Sequence, residues 1–395
     1  MSRILNDETP KRSYLRYVRL LAVQLERLYA YVHRFLAWIT GRLGKPMVPE
    51  IYHATPVDGG VAVKGRVLLA RKLREPSVED PPLVNLLQMI KRWLTPERPR
   101  SIVRLSLGRK VSRVRADEEG YFELIIPEEQ CGSDELLVVL PNSKVSDPVI
   151  HPLDKVGESY RCVVISDVDD TVLVTHAGTL LRMIATTLFG NALTRQLFPG
   201  NPALYQALRK GPDKEKNDSN PLAYVTSSPF NLHGMLHLIF EQNGLPTGPF
   251  FMNDWGLDVD KWFSKSHRQH KIEAIEQALE WFPDEPVILI GDSGQHDTRI
   301  YVEVALAYPE RIRQILIHDV SGPERLLELN EEAAPLEDTE TNFAFFSDCQ
   351  EAAEILAEQG WISTEQKDHV TEAFLAEKNK SRFSSVSHAE PDKYP

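Results

Sequence analysis

The chain has 395 residues, of which 42% are hydrophobic and 26% are charged, a composition typical of a folded globular protein long enough for two domains. Its formal net charge of -12 argues against nucleic-acid binding, because contacts with phosphates need a basic surface. Three widely spaced cysteines argue against a disulfide framework or a zinc site. With no signal-peptide pattern and no long apolar run, we expect a cytoplasmic protein, and the sequence leaves its oligomeric state open.

Residues 1–48 are predicted to form a basic amphipathic helix. Apolar residues recur every three or four positions from Leu15 to Leu43, the period of one helix face. Residues 1–45 hold nine Lys or Arg and three Asp or Glu. Such a helix suits a peripheral membrane contact through residues 11–43. The alternative is packing on the protein's own body or on another protomer, which the usual burial of apolar stripes favours.

Residues 50–150 are predicted to form a small β-sandwich domain, because short alternating runs at 61–69, 101–107, 121–126 and 135–140 are separated by turn residues. None of these runs has catalytic spacing, so we expect this domain to dock or orient. Residues 155–335 alternate strands with helices, which predicts an α/β domain with a parallel sheet and helices on both faces.

The sheet strands are expected near residues 162, 223, 250, 287 and 314. Residues 174–220, an insertion with helical apolar spacing followed by a polar loop, are expected to form a helical cap over the crevice. Residues 336–378 are predicted to form a carboxy-terminal helical segment. Residues 379–395, rich in Ser, Lys and Pro, are predicted to be a disordered tail.

Acidic and hydroxyl side chains follow three of the predicted strands. Asp167 and Asp169 end the first apolar run, and Thr226 and Ser227 follow the second. In open α/β sheets ligands bind at the carboxyl ends of the strands. Two adjacent carboxylates repel each other unless a cation lies between them. The pattern therefore indicates phosphoryl transfer through a carboxylate nucleophile, with Mg²⁺ neutralising the shared charge.

The third strand ends in Asp292 and Asp297, and Lys271 is predicted to open the helix before that strand. Together the four elements resemble the four motifs of the haloacid dehalogenase superfamily. The stretches at 224–232, 270–279 and 288–297 narrow the resemblance to the catalytic domain of phosphatidate phosphatases of the actin-patch-protein type. These enzymes are related to the lipins, and we expect a bacterial member. The resemblance covers residues 160–320 and departs at Thr298, Arg299 and His318.

The resemblance implies a haloacid-dehalogenase (Rossmann-like) fold and a role for each motif residue. Asp167 is the expected nucleophile, which forms an aspartyl-phosphate, and Asp169 the expected general acid and base. Lys271 is expected to neutralise the phosphate, and Thr226, with Ser227 as its substitute, to bind a phosphate oxygen. The expected Mg²⁺ site consists of the Asp167 and Asp292 carboxylates, the Asp169 backbone carbonyl and Asp297, which orients the others.

These roles predict a Mg²⁺-dependent phosphomonoester hydrolase, with phosphatidate as the substrate and diacylglycerol and phosphate as the products. One alternative is a phosphatase of a soluble sugar or polyol phosphate. An alternative of another class is a membrane-associated scaffold with an inactive phosphatase fold, against which the intact motif set argues. His267, His270 and His296 fall near the crevice in the sequence and are either substrate contacts or exposed polar residues.

Overall fold

The computed structural model describes residues 46–70, 97–127, 133–141, 148–157, 160–169, 171–172, 197–212, 219–253, 267–294 and 296–386. Residues 1–45 of the predicted amino-terminal helix, residues 174–196 and 213–218 of the predicted cap and residues 387–395 of the predicted tail lie outside this part of the chain. The first strand already begins at Met47 and so includes the last two residues of the predicted helix.

Residues 47–152 form two antiparallel sheets, as their alternating pattern predicts. The strands are β1 (Met47–Val57), β2 (Gly60–Leu69), β3 (Ile102–Leu107), β4 (Lys110–Arg115), β5 (Tyr121–Pro127), β6 (Glu135–Val139) and β7 (Val149–Pro152). One sheet has the order β1-β2-β5 and the other β4-β3-β6-β7. Inward side chains such as Val63, Leu105 and Val138 share one apolar core. Every second residue of β3 is buried, the pattern of a strand with one face in the core.

A six-stranded parallel sheet follows, in the order β10-β9-β8-β11-β12-β13. Its strands are β8 (Val163–Asp167), β9 (Leu222–Pro229), β10 (Phe250–Asn253), β11 (Val287–Asp292), β12 (Ile312–His318) and β13 (Asn342–Phe346). The prediction of a parallel α/β sheet is confirmed. Strands β8 and β11 lie next to each other in its middle and are buried along their whole length. The sixth strand, β13, lies in a segment for which we expected only helices.

Helices cover both faces of this sheet. They are α1 (Asn201–Lys210), α2 (His233–Gln242), α3 (His267–Trp281), α4 (Asp297–Ala307), α5 (Pro323–Ala333), α6 (Cys349–Glu358) and α7 (Thr364–Val386). On one face Leu204 of α1, Leu236 of α2 and Leu356 of α6 share a core. On the other face Ala278 of α3 and Ile300 of α4 share a second core. None of the described helices has the length and apolar character needed to cross a membrane.

The structure differs from the predicted boundaries at two places. Helix α1 is not part of a cap, because Leu204, Tyr205 and Leu208 are buried against the sheet. It connects β8 to its parallel neighbour β9, a link that needs a crossover helix. Helix α7 runs to Val386, past residue 379 where we expected the disordered tail to begin. Its sequence is rich in Ala, Glu and Lys, which are good helix formers, and Val370 anchors it in the core.

The antiparallel sheets pack against the parallel sheet through β1. Tyr52 stacks on Phe230, with ring centroids 4.7 Å apart, and His53 stacks on Trp281 at 5.2 Å. Phe230 lies in the turn after β9 and Trp281 at the end of α3. These contacts therefore fix the turn and the helix that carry two of the predicted motifs.

Candidate active site

Three buried aspartates meet at the carboxyl end of the parallel sheet. Asp167 ends β8, Asp292 ends the adjacent strand β11, and Asp297 begins α4. Each offers a carboxylate oxygen, and these three oxygens lie within 4.8 Å of one another. Parallel neighbouring strands end at the same edge, so residues 125 positions apart in the chain become neighbours in space.

Lys271 lies between two of these carboxylates and is completely buried. Its Nζ is 2.7 Å from Oδ1 of Asp167, and it also forms an ion pair with Oδ1 of Asp297. The lysine is not at the start of its helix, as we predicted, because α3 begins four residues earlier at His267. The position in the second turn places the ammonium, rather than the helix terminus, against the acids.

Asp297 uses both of its carboxylate oxygens within the site. Oδ1 pairs with Lys271, and Oδ2 accepts a hydrogen bond from the backbone N–H of Asp292 at 3.2 Å. This approach needs a glycine at position 291, since a Cβ there would lie 2.6 Å from Asp297 Oδ2 and 2.7 Å from a ring carbon of Tyr301. Asp297 therefore holds Lys271 and the end of β11 in place.

The side chain of Asp169 is held by Thr226, in the second half of β9. The Thr226 hydroxyl donates a 2.7 Å hydrogen bond to Oδ2 of Asp169, and it accepts one from the backbone N–H of Ser228 at 3.0 Å. The hydroxyl of Ser227 is buried and has no hydrogen-bond partner among the described residues. Thr226 thus orients Asp169, and Ser227 has a hydroxyl left to donate to a ligand.

The electrostatics of the site are those of several acids around one base. Burial raises the pKa of Asp167 well above its usual range, and Lys271 opposes this shift. The charges of Asp297, Asp292 and Asp169 add to the rise. For Lys271, burial works to lower the pKa, but the attraction of Asp167, Asp297 and Asp292 is stronger and the pKa is raised. The lysine is therefore an ammonium at every physiological pH.

The site has the donor set of a cation site. Asp167, Asp292 and Asp297 carry more negative charge than Lys271 can balance, and burial deprives them of water. Oδ2 of Asp167 is buried and receives no hydrogen bond from any residue that the structure describes. A buried carboxylate needs a donor or a cation. Clustered carboxylate oxygens suit hard divalent cations, so the residues fit a bound metal.

Comparison with known proteins agrees with this geometry. Residues 162–319 match the catalytic-domain family of phosphatidate phosphatase APP1. The predicted resemblance to that family is confirmed over this region, which contains every motif residue considered above. The match covers the parallel sheet from β8 to β12 and excludes the two antiparallel sheets.

Two curated fungal proteins are similar to the same part of the chain. Phosphatidate phosphatase APP1 of Saccharomyces cerevisiae is 28% identical over 189 residues, which is 46% of this chain and 31% of the yeast protein. An uncharacterized protein of Schizosaccharomyces pombe is 28% identical over 219 residues, 52% of this chain and 34% of that protein. The chain thus matches about a third of the length of each of these two relatives.

Among solved structures, a novel carbohydrate acetylesterase from Xanthomonas citri is 11% identical to the chain. The alignment covers 74% of this chain and 75% of that protein with a TM-score of 0.27, a likeness too low to bear on fold or function.

The sequence reasoning missed a pair of hydroxyls beneath Asp167. Ser166 donates to the backbone carbonyl of Asp167 at 2.8 Å, and its oxygen lies 2.6 Å from the Tyr205 hydroxyl. Since Ser166 has one proton to donate, Tyr205 is the donor in the second bond. A serine within an otherwise apolar buried strand was the available signal, but its partner lies on α1, which we assigned to a cap.

The remaining predicted residues are at the edges of the site. His270 Nε2 lies 3.3 Å from the carbonyl oxygen of Thr226, whereas His296 is exposed at the start of α4. His318 is buried between Phe198 and Phe346, with ring centroids at 4.4 and 5.0 Å. The side chain of His267 lies outside the described part of the chain.

Proposed function

We propose that this chain is a Mg²⁺-dependent phosphomonoester hydrolase of the haloacid dehalogenase type that converts phosphatidate to diacylglycerol and phosphate. The observation that carries the proposal is the pairing of Asp167 with Lys271 beside Asp292. Oδ1 of Asp167 is held by the ammonium of Lys271. Oδ2 of Asp167 is buried and has no hydrogen-bond donor among the described residues.

Asp167 is the nucleophile in this proposal. Its Oδ2 attacks phosphorus, a P–O bond forms, and the bond between phosphorus and the glycerol oxygen breaks. Asp169, in its protonated form, donates a proton to that leaving oxygen. The resulting Asp169 carboxylate then takes a proton from water, whose oxygen attacks the aspartyl-phosphate and releases inorganic phosphate. The hydrogen bond from Thr226 orients Asp169 for both proton transfers.

The other residues stabilise charge. Lys271 opposes the rise that burial causes in the pKa of Asp167, which favours the ionised nucleophile, and its ammonium would bind a phosphate oxygen. Ser227 offers a donor to a second phosphate oxygen.

The carboxylates of Asp167 and Asp292 and the backbone carbonyl of Asp169 would hold Mg²⁺, which supplies positive charge for the phosphate when bound. Asp297 was predicted as a fourth member of this set. Because both of its oxygens already bind Lys271 and the Asp292 backbone, an orienting role fits it better than direct coordination.

Phosphatidate is the substrate that the comparisons favour, since the yeast relative carries that activity in its name and the motif region is the part that matches. The chain would reach this lipid through a peripheral membrane contact. Hydrolysis of a soluble sugar or polyol phosphate is the rival that the test must exclude.

The test measures phosphate release from vesicles that contain phosphatidate and from soluble sugar and polyol phosphates. Wild-type protein should hydrolyse phosphatidate, lose activity in EDTA and regain it with millimolar Mg²⁺. Asp167→Asn should abolish turnover while the protein stays folded, because the amide keeps the shape but cannot attack phosphorus. Asp348→Asn is the matched control, since Asp348 caps α6 and asparagine is an equally good cap. Turnover by verified Asp167→Asn protein would refute the mechanism, and faster hydrolysis of a soluble monoester would refute the substrate.

A further inference from the structure

The four-stranded sheet β4-β3-β6-β7 has an outer face, formed by the side chains that point away from the other antiparallel sheet. Three large apolar residues are exposed on it: Val111 by 48%, Leu137 by 36% and Ile150 by 62%. They lie in one row across the strands, because Ser106 pairs with both Val111 and Leu137, and Leu137 pairs with Ile150. Exposed apolar side chains grouped in one row, here interrupted only by Ser106, are typical of an interaction surface.

A row of arginines runs beside the apolar one. Arg104 and Arg113 are directly opposite each other on β3 and β4, and Arg115 follows on the same side of β4. Like charges directly opposite in a sheet are destabilising. Neither Arg104 nor Arg113 forms a hydrogen bond or ion pair with any residue that the structure describes. The repulsion is therefore not relieved by a described acid of the chain.

The surrounding sequence strengthens this charge. Residues 101–116, which form β3, β4 and their turn, contain five Lys or Arg and no Asp or Glu, in a chain whose net charge is -12. Glu135 is the single acid on the described outer face, and it lies at the start of β6, beyond the apolar row. The face is therefore a local basic and apolar surface on an acidic protein.

One edge of this face lies beside a cavity that borders the turn after β9. Arg115 and Val114 of β4 line a cavity of about 340 Å³ together with Lys64, Tyr121 and Phe230, and the acids Asp117 and Glu123 line it too. Phe230 follows β9, the strand that carries Thr226 and Ser227. Arg115, at the edge of the outer face, thus lines the same cavity as Phe230 in the turn after β9.

We propose that the outer face docks on an anionic membrane surface. The apolar row would enter the interfacial region of the bilayer, and the arginines would contact lipid phosphates while their methylene groups cover apolar surface. Headgroup phosphates supply the counter-charge that Arg104 and Arg113 lack within the described protein. The inference rests on the proposed function for its link to catalysis, since a lipid substrate must be met at its membrane, but docking itself requires no turnover.

Vesicle co-sedimentation of the full chain tests the proposal without phosphatidate. The vesicles contain phosphatidylcholine alone or phosphatidylcholine with phosphatidylglycerol. Wild-type protein should bind the anionic vesicles and dissociate at high salt, where screening is complete within a few ångströms. The double variant Arg104→Gln/Arg113→Gln should lose about twenty-five-fold in partitioning, since each basic residue at an anionic surface is worth about fivefold. It should fold at least as well as wild type because a like-charge pair is removed.

Two controls separate the face from the overall charge. Lys155→Gln/Arg161→Gln removes the same charge at exposed positions outside the face and should change partitioning by about twofold or less. Ile150→Ser should weaken binding to anionic vesicles, whereas Leu327→Ser, at the 69% exposed Leu327 of α5, should not.

The proposal would be overturned if wild-type protein did not bind vesicles, or if it bound neutral and anionic vesicles equally. Unchanged binding of Arg104→Gln/Arg113→Gln would also overturn it, as would an equal loss of binding in the control Lys155→Gln/Arg161→Gln. A change of oligomeric state in the arginine variant, measured by size-exclusion chromatography, would overturn it in favour of a contact between copies. If binding is lost as expected while the wild type hydrolyses no phosphomonoester, the docking surface stands and the proposed function fails.

Discussion

Asp292→Asn should make the metal-free protein more stable, although it removes a residue of the candidate active site. The carboxylate of Asp292 is buried and lies within 4.8 Å of oxygens of Asp167 and Asp297. Asparagine keeps the size of the side chain and the oxygen that accepts the 2.7 Å hydrogen bond from the Gly294 N–H. The substitution therefore removes charge and keeps this hydrogen bond.

The magnitude follows from the separations. Two unit charges no more than 4.8 Å apart repel by at least about 3.5 kcal/mol at an effective dielectric constant of about 20. Asp292 experiences two such repulsions, and attraction to Lys271 offsets about one of them. After relaxation we expect a gain of about 1–3 kcal/mol in the free energy of unfolding, or roughly 3–9 °C in the thermal midpoint for a domain of this size.

Thermal unfolding followed by circular dichroism, in EDTA and in millimolar Mg²⁺, measures the effect. Wild-type protein should gain stability with Mg²⁺, by about 2.7 kcal/mol at one hundred times the dissociation constant, whereas the variant should gain little. Asp154→Asn is the control: burial raises the pKa of that carboxyl to about 6, but it lies outside the aspartate cluster, so its Mg²⁺ response should equal that of wild type. A lower metal-free midpoint for Asp292→Asn, or a full Mg²⁺ response, would refute the reasoning.

Three further substitutions test the packing around the site. Gly291→Ala should reduce phosphatase activity at least tenfold and stability by about 1–3 kcal/mol, because the added carbon displaces Asp297; wild-type rates would contradict this. His53→Phe should make the folded protein less sensitive to acid. Burial, with a smaller contribution from the Lys64 charge, lowers the His53 pKa to about 3. Because the unfolded chain protonates this histidine below pH 6.5 and the folded protein does not, wild-type protein loses stability as pH falls below 6.5. Between pH 7 and 5 the free energy of unfolding, measured by urea titration, should fall by about 2 kcal/mol less in the variant than in wild type. An equal fall in both proteins would disprove the prediction. Tyr205→Phe should cost about 1 kcal/mol and lower kcat with little change in KM; an unchanged kcat would exclude a role in positioning the nucleophile.

The parallel sheet and its motifs could be predicted because their signals are local. Strands β8 and β11 are apolar runs that end in acids, and the strand ends of a parallel sheet share one edge. The proximity of Asp167 and Asp292 follows from that rule alone, without knowledge of any side-chain contact.

The features that were missed depend on contacts distant in sequence. The β13 segment is five residues long and forms a strand by pairing with β12, which no local pattern reveals. Helix α1 has the apolar spacing of a cap helix or a crossover helix alike, and only its burial against β8 distinguishes them. The same ambiguity concealed Tyr205, whose hydroxyl reaches Ser166 from a helix 39 positions later in the chain.

The pairing of β12 with β13 limits how far the catalytic region can be treated as a portable module. The family match ends at residue 319, between these two strands. A fragment cut to the matched residues would leave the backbone of β12 unpaired along one edge, a template for aggregation, and would uncover Phe230 and Trp281 where β1 packs. Grafting the activity onto another scaffold therefore requires the chain from β1 to α6, because the flanking segments complete the sheet that places the aspartates.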